Sequence, residues 1–179
     1  MASTLKVNTI QTAAGNTPTV ADLGINTVYW HGKLATAQSM TRYGTAKITG
    51  FTHDELDSHG AFDGTTFTVP ANRGGIYFCS VQLYFDFSQA GSDGENVYIY
   101  LYKNGGQVAL HESNCRVPAN DHADIMAAHF LLNTIQSFAD GDTVEVYARM
   151  ADNSSSGTLR IGGENTKTDA SVFMGYQIA

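Results

Sequence analysis

The chain has 179 residues, a length that suits one domain with a sizeable hydrophobic core. Its 42% hydrophobic and 11% aromatic content excludes a disordered chain, and no apolar run approaches the length of a membrane span. The net charge of −7, without any basic run, argues against a nucleic-acid partner. Abundant glycine (18 residues) and sparse charge (15%) favour a β-rich domain over a helical bundle.

Residues 1–24 differ in composition from the rest of the chain. They are rich in threonine, alanine and asparagine, and Leu5, Val7 and Ile10 are among their few large apolar side chains. A segment so poor in apolar residues cannot by itself bury enough surface to offset the entropy lost on ordering. We therefore predict an anchoring arm over residues 1–24, with these three side chains as its contacts, ahead of a head domain over residues 25–179.

The start of this arm reads STLKVNTIQTAAGN. It resembles the opening of many virion structural proteins of tailed phages, especially marine and cyanobacterial phages, in which a similar start precedes varied adhesin-like domains. The resemblance covers about the first sixteen residues. It implies a location at the virion surface and implies no chemistry.

The first segment of the head contains the only tryptophan, Trp30, in the sequence TVYWHG. We predict that it is a packing anchor in a linker and first strand, because an indole ring brings a large apolar area to a core. A helical turn over residues 34–40 is an alternative for part of this segment. Farther on, Asp63-Gly64 predicts a tight turn, and Pro70 predicts the end of a strand because it lacks the amide that a central strand needs.

Residues 75–87, GIYFCSVQLYFDF, form the most regular strand pattern of the sequence. Every second side chain from Tyr77 onward is apolar or aromatic, which predicts a strand with one face in the core. The other face runs from Ile76 to Asp86, and we predict that its start is apolar and that its end is polar and solvent-exposed. We predict a central strand whose second face is partly covered by another subunit, with Ile76 and Phe78 in that interface.

The two cysteines are Cys79 and Cys115. Cys79 lies on the inward face of the same strand and is predicted to be a small buried hydrophobe. A disulfide between the two is the alternative, although nothing in the sequence indicates the oxidising compartment that a disulfide requires.

The next strand pattern, ENVYIYLYKNGG, has two contrasting faces. Its aliphatic face suits a core. The opposite face carries Tyr98, Tyr100 and Tyr102, whose rings bring large apolar area and whose hydroxyls can stay hydrated. We predict that these tyrosines lie in a trimer interface together with Ile76 and Phe78. The alternative is a solvent-exposed aromatic ladder stabilised by cross-strand pairs.

Strand patterns continue to the end of the chain. Asn104-Gly105 predicts a hairpin turn. The apolar spacing of residues 124–138 fits a helix or a strand, and the turn sequence that follows favours a strand. Residues 143–150 alternate as a strand, and residues 170–179 form a last strand. Together these patterns predict an all-β, antiparallel jelly-roll sandwich of roughly eight to ten strands.

Four motifs, in order from residue 60 to the end, carry a resemblance to a known family. They are GAFDGTTFTVPANRGGIYF, VYIYLYKNGG, SFADGDTVEVY and SVFMGYQI. In this order they resemble the globular head of complement first-component subunit q, a member of the tumour-necrosis-factor-like (TNF-like) jelly rolls. The resemblance implies a TNF-like head and, since members of this family form compact homotrimers, a homotrimer. Phe138 and Ala139 depart from the usual leucine, and a collagen-like stalk is missing.

The sequence contains no recognised catalytic motif, so we predict no enzyme and no cofactor. The acidic and histidine-rich loop at residues 53–59 could hold a metal ion, since carboxylates suit calcium and imidazole suits zinc. A solvated acidic loop is the favoured alternative, and we predict no metal. His129, in an apolar run, is interpreted as a core or interface histidine rather than a base.

These features predict a structural protein on the surface of a tailed-phage virion. The arm binds other virion proteins, and a homotrimeric head acts as a short fibre or adhesin that contacts a host-surface glycan or protein. The alternatives are a capsid decoration protein of the same virion and a soluble recognition module of a non-viral cell. Loops at residues 53–59, 88–95, 111–123 and 152–168 are the predicted contact sites, because strand side chains are committed to packing.

Overall fold

Two antiparallel β-sheets enclose the hydrophobic core of this protein. The computed structural model describes residues 27–52, 56–87, 94–114, 127–152, 159–162 and 171–179, which form strands, turns and bends and no helix. The strands are β1 (Tyr29–Leu34), β2 (Gln38–Met40), β3 (Thr45–Lys47), β4 (Phe51–Thr52), β5 (Thr66–Thr68), β6 (Gly75–Asp86), β7 (Gly94–Lys103), β8 (Gly106–Asn114), β9 (Ala127–Phe138), β10 (Thr143–Asp152), β11 (Leu159–Ile161) and β12 (Val172–Gln177). The predicted all-β class is confirmed.

The strand order of both sheets requires repeated crossovers between them. Sheet A has the order β2-β11-β6-β12-β1-β4, and β9 also belongs to it as a further partner of β6. Sheet B has the order β3-β10-β7-β8, with β5 paired to β10. All recorded pairings between these strands are antiparallel. This is the arrangement of a jelly-roll sandwich, as predicted.

Strand β6 lies at the centre of sheet A and supplies the middle of the core. Its inward side chains from Tyr77 to Phe85 are almost fully buried, as the period-two pattern predicts. Cys79 is a free thiol that is 1% exposed, and its burial raises its pKa to about 12. The interpretation of Cys79 as a small buried hydrophobe is therefore confirmed, while Cys115 lies outside the described residues.

The far end of β6 differs from the prediction. Tyr84 and Asp86 were expected on a wet stretch of the outer face, yet they are only 8% and 3% exposed. His129 from β9 packs on the Tyr84 ring, with ring centres 4.8 Å apart, and β11 pairs alongside Asp86. The prediction was wrong because these neighbours come from distant parts of the sequence.

Trp30 joins the two sheets. It lies in β1 of sheet A, is 1% exposed, and stacks on Phe67 of β5 in sheet B with ring centres 3.8 Å apart. Phe173 of β12 meets the same indole ring edge-on at 5.5 Å. The predicted packing anchor is thus confirmed. The alternative helical turn over residues 34–40 is not formed, since that stretch holds the end of β1 and strand β2.

Turn residues fall where their dipeptides predict them. Asn104 and Gly105 both have positive φ angles, 49° and 77°, as the tight β7–β8 hairpin requires. Gly64 has a φ of 85°, and Asp63 Oδ1 accepts the amides of Thr65 and Thr66 beside it. The described part of the ambiguous segment at residues 124–138 forms strand β9, which pairs with β6 from Ala127 to Phe138.

Asp142 ties the β9–β10 turn to the β7–β8 hairpin. Its Oδ2 accepts the Ala139 amide at 2.7 Å and pairs with Lys103 Nζ at 2.7 Å, and its Oδ1 accepts the Asn104 side-chain amide at 2.7 Å. The Lys103 hydrogen bond, followed by the backbone amide, lowers the pKa of Asp142 to about 2. Since this pKa lies below that of an unfolded aspartate, the carboxylate stabilises the fold above about pH 4.

Replacing Gly175 with alanine is expected to destabilise the protein by about 2–3 kcal/mol. An added Cβ would collide with the Trp30 ring and lie 2.7 Å from the Phe78 carbonyl oxygen. Urea unfolding at fixed protein concentration measures the loss. Gly106→Ala is the matched control, because the nearest atom to its added Cβ lies at 3.5 Å. Equal losses in the two variants would contradict this explanation.

Replacing Asp142 with asparagine is expected to lower the free energy of unfolding by about 1–2 kcal/mol at pH 7, after allowance for solvent screening. The folded-state pKa is depressed, so the contribution of the carboxylate is lost as the pH falls from about 4 to about 2. The difference between variant and wild type should therefore close over that range. Denaturant titrations from pH 7 to pH 2 test this, and a difference independent of pH would refute it.

Candidate interaction surfaces

An apolar row crosses the outer face of sheet A. The strand register places Tyr29, Tyr176, Phe78 and Ile135 side by side on β1, β12, β6 and β9. Three of them are strongly exposed: Tyr29 by 43%, Tyr176 by 46% and Ile135 by 62%. Phe78 is half-buried between its neighbours, with its ring 5.3 Å from that of Tyr176. Four adjacent strands thus present one continuous apolar line to the outside.

Further apolar side chains extend this row at one end. Ile76 and Ile178 are 38% and 51% exposed, and the Ile178 amide donates to the Ile76 carbonyl at 2.7 Å. We define the sheet A face by six residues: Tyr29, Ile76, Phe78, Ile135, Tyr176 and Ile178. The next row along the strands is mixed, because polar His31, Ser80 and Asn133 share it with Met174 of β12.

A second distinctive surface lies on the outer face of sheet B. Tyr98, Tyr100 and Tyr102 stand in a row along β7, and we call them the tyrosine ladder. The first two rings are parallel with centres 6.0 Å apart, and the third meets Tyr100 edge-on at 6.2 Å. Tyr147 of β10 packs against Tyr102 at 4.3 Å. These rings pack against one another and are half-buried.

Charged groups beside the tyrosine ladder are already paired within sheet B. Lys47 Nζ lies 2.6 Å from Glu145 Oε1, and the Arg149 guanidinium lies 5.0 Å from the centre of the Tyr98 ring. Partial burial raises the pKa of Glu145, but the hydrogen bond and charge of Lys47 outweigh it and lower that pKa overall. A hydrogen bond with Glu112 raises the pKa of Tyr98. The charged groups beside the ladder are therefore compensated within sheet B.

The five predicted interface residues fall on two surfaces. Ile76 and Phe78 lie on the sheet A face, whereas the tyrosine ladder lies on the opposite side of the sandwich. Sequence reasoning did not assign Tyr29, Ile135 or Tyr176 to an interface. Their alternation with buried neighbours was readable, but only strand register shows that they adjoin Phe78. The arm residues Leu5, Val7 and Ile10 lie outside the described residues.

The loop that sequence analysis considered for a metal ion has another structural role in its described part. Asp57 accepts the backbone amides of Ala61 at 3.0 Å and Phe62 at 2.9 Å, so its carboxylate shapes the loop. His59 Nδ1 lies 2.7 Å from Ser58 Oγ. Residues 53–55 lie outside the described residues, and the described ones contain no group of three or more metal-binding side chains. That the protein is not an enzyme stays a prediction.

His129 projects from the outer face of β9 and is exposed. Its ring packs on Tyr84, and its Nδ1 lies 3.5 Å from Gln82 Nε2. It is therefore not a core residue, and its role in an interface stays a prediction. The described parts of the chain include no helix long and apolar enough to cross a membrane.

Comparisons with known proteins give matches among solved structures only. No family model and no curated protein matches this chain. A crystal structure of murine APRIL at pH 5.0 matches 85% of this chain and 99% of its own, with a TM-score of 0.58 and 11% identity. Another murine APRIL structure, at pH 8.0, matches with a TM-score of 0.57 and 10% identity over the same shares.

A structure of Eiger TNF from S. frugiperda also matches. It covers 86% of this chain and 92% of its own, with a TM-score of 0.53 and 12% identity. At identities this low, the similarity is one of fold. The head of this protein is a TNF-like jelly roll, as its sequence motifs implied.

Proposed function

We propose that this protein is a self-associating recognition module that forms a homotrimer through the sheet A face. The observation that carries the proposal is the exposed row formed by Tyr29, Tyr176, Phe78 and Ile135. A contiguous apolar patch on a sheet usually has a partner, and aromatic and aliphatic side chains without charge suit the centre of an interface. A second copy is the partner that the resemblance to a homotrimeric family supports.

Geometry favours the sheet A face over the tyrosine ladder as the common interface. The two surfaces lie on opposite sides of the sandwich, so packing one against the other would stack copies in a single direction. Such an arrangement gives an open filament rather than a closed ring. In this arrangement the tyrosine ladder lies outside the trimer interface, and the charged side chains beside it are paired within sheet B. The participation of the ladder in the trimer interface stays a prediction, and the pair of lysine substitutions described below tests it.

We further propose that the trimer stands on the surface of a tailed-phage virion as a short fibre or adhesin. The opening of the arm, STLKVNTIQTAAGN, supports this location by its resemblance to virion structural proteins. The arm would attach the module to other virion proteins, and the jelly-roll head would contact the host surface. Separate roles in attachment and in host contact would explain why a polar segment precedes a domain with a core of its own.

A lysine substituted on each surface separates the two interface predictions. We expect Ile135→Lys to convert the trimer to monomers, because the substitution buries an unpaired charge in the interface. Ile135 is 62% exposed in the single chain, so the fold should survive. Tyr100→Lys, the matched variant on sheet B, should remain trimeric. Light scattering gives both masses, and monomers from Tyr100→Lys with trimers from Ile135→Lys would reverse the assignment.

Removal of the arm tests its role as an attachment segment. A chain that starts at residue 25 should be a trimer like the full chain, because the sheet A face belongs to the head. Tailed-phage virions should bind the full chain and should not bind the shortened chain. If the shortened chain is monomeric, the arm contributes to the trimer itself and the anchoring role fails. If particles retain the shortened chain equally, the virion role of the arm fails.

A further inference from the structure

The apolar row on the outer face of sheet A is narrower than a stable interface needs. Strands lie about 4.8 Å apart and side chains on one face repeat about every 6.7 Å, so four strands present a footprint of roughly 130 Å² per row. A standard interface buries about 800 Å² on each partner. Ile76 and Ile178 lie at the end of the sheet, where β6 begins and β12 has ended. A trimer interface on this sheet therefore needs to extend in the opposite direction, across the row that contains His31.

His31 lies in that second row beside an apolar side chain. It is on the same face of β1 as Tyr29, and the pairing of β1 with β12 places it opposite Met174. Both His31 and Met174 are half-buried in the single chain. Ser80 and Asn133 continue the row across β6 and β9 with groups that carry no charge. A second copy that covers this row would remove the remaining water from the imidazole ring of His31.

The charged groups around β1 give a protonated His31 no partner. Its ring has no hydrogen bond or ion pair among the described residues. The neighbouring charge on the same face of β1 is Lys33, a cation that disfavours a second positive charge. On the other side of β1, Asp57 forms an antiparallel bridge with Trp30, but backbone amides hold its carboxylate. Residues 53–55 of that loop lie outside the described residues.

The other strands of sheet A supply no carboxylate to this row either. On β12, the side chains that share the outer face with Met174 are Val172 and Tyr176. On β6, Asp86 is 3% exposed and lies at the far end of the strand, and on β9 the basic side chain is His129, which packs on Tyr84. The six residues of the sheet A face are all uncharged types, so the same face of another copy offers no carboxylate.

The free energy of association then depends on the protonation of His31. Burying a charged imidazole without a partner is costly, whereas burying a neutral imidazole costs far less. Histidine ordinarily changes between these forms near pH 6.5. Because the separate chain binds the proton more readily than the trimer does, acid favours the separate chains. A closed trimer contains three copies of His31, so the effect acts three times in each assembly.

We propose that His31 makes self-association pH-dependent, so that copies of the chain form the trimer at neutral pH and separate below about pH 6. The inference deepens the self-association proposed above and rests on it, because it names the regulation of that same surface. The fold persists over this range in at least one of its turns. Asp142, whose pKa is about 2, stays ionised there and keeps its contacts with Lys103 and Asn104.

Sedimentation of the full chain from about pH 7.5 to about pH 5.5 tests the inference. We expect the protein concentration at which half the chains are trimeric to rise at least about tenfold, because three histidines must lose a proton on assembly. His31→Gln and His31→Phe cannot bind this proton and should change less than about threefold. His129→Gln is the matched control on the same outer face, away from the second row, and should keep the wild-type change.

The outcomes separate this inference from the proposed trimer. A trimer whose association does not weaken in acid, an equal change in both His31 variants, or loss of the change in His129→Gln overturns the inference and leaves the trimer standing. Wild-type chains that are monomeric at both pH values overturn the trimer itself. Circular dichroism at each pH identifies samples that have unfolded.

A second measurement decides the result if both His31 variants are monomeric at neutral pH. The imidazole Hε1 resonance of His31 is identified by its absence from the spectra of the variants. At about pH 5.5, this resonance should report a neutral ring in the concentrated wild-type trimer, although a solvated histidine is mostly protonated there. A protonated ring in the trimer overturns the inference.

Discussion

The pairing of β6 on both of its edges is the constraint on which the rest of the structure depends. Along one edge, β9 pairs with it from Gly75 to Asp86, and along the other edge β12 and β11 follow in turn. With both ladders satisfied, the strand can bury its inward side chains without leaving backbone groups unpaired. The same pairing fixes which side chains stand beside Phe78 on the outer face. One strand therefore sets both the core and the proposed interface.

The two outer faces of the sandwich differ in how their exposed side chains are packed and paired. On sheet B, Glu145 has Lys47 as its partner, Arg149 covers a tyrosine ring, and the ladder rings pack on one another. That surface is complete in a single chain. On sheet A, the Phe78 and Tyr176 rings also pack on each other, but Tyr29, Tyr176 and Ile135 of the same row stay strongly exposed. This contrast, rather than aromatic content, is the basis of the proposal that self-association uses sheet A.

Local patterns predicted the parts of the fold that local interactions determine. The period-two alternation of β6 and the Asn104-Gly105 turn depend on near neighbours, so they were readable from the sequence. The burial of Tyr84 and the apolar row depend on register between strands that lie far apart in the chain, which no local pattern encodes. Short strands such as β4 and β11 have too few residues to show a period.

The position of β12 has a consequence for how the chain acquires its structure. This strand lies between β1 and β6, so the two earlier strands of sheet A cannot be joined until residues 172–177 arrive. The sequence separation between β1 and β12 is among the largest that the chain permits, which raises the contact order and slows folding. Sheet A is therefore completed only once residues 172–177 are available to pair. Until then, β1 and β6 expose unpaired edges that chaperones or aggregation partners can bind.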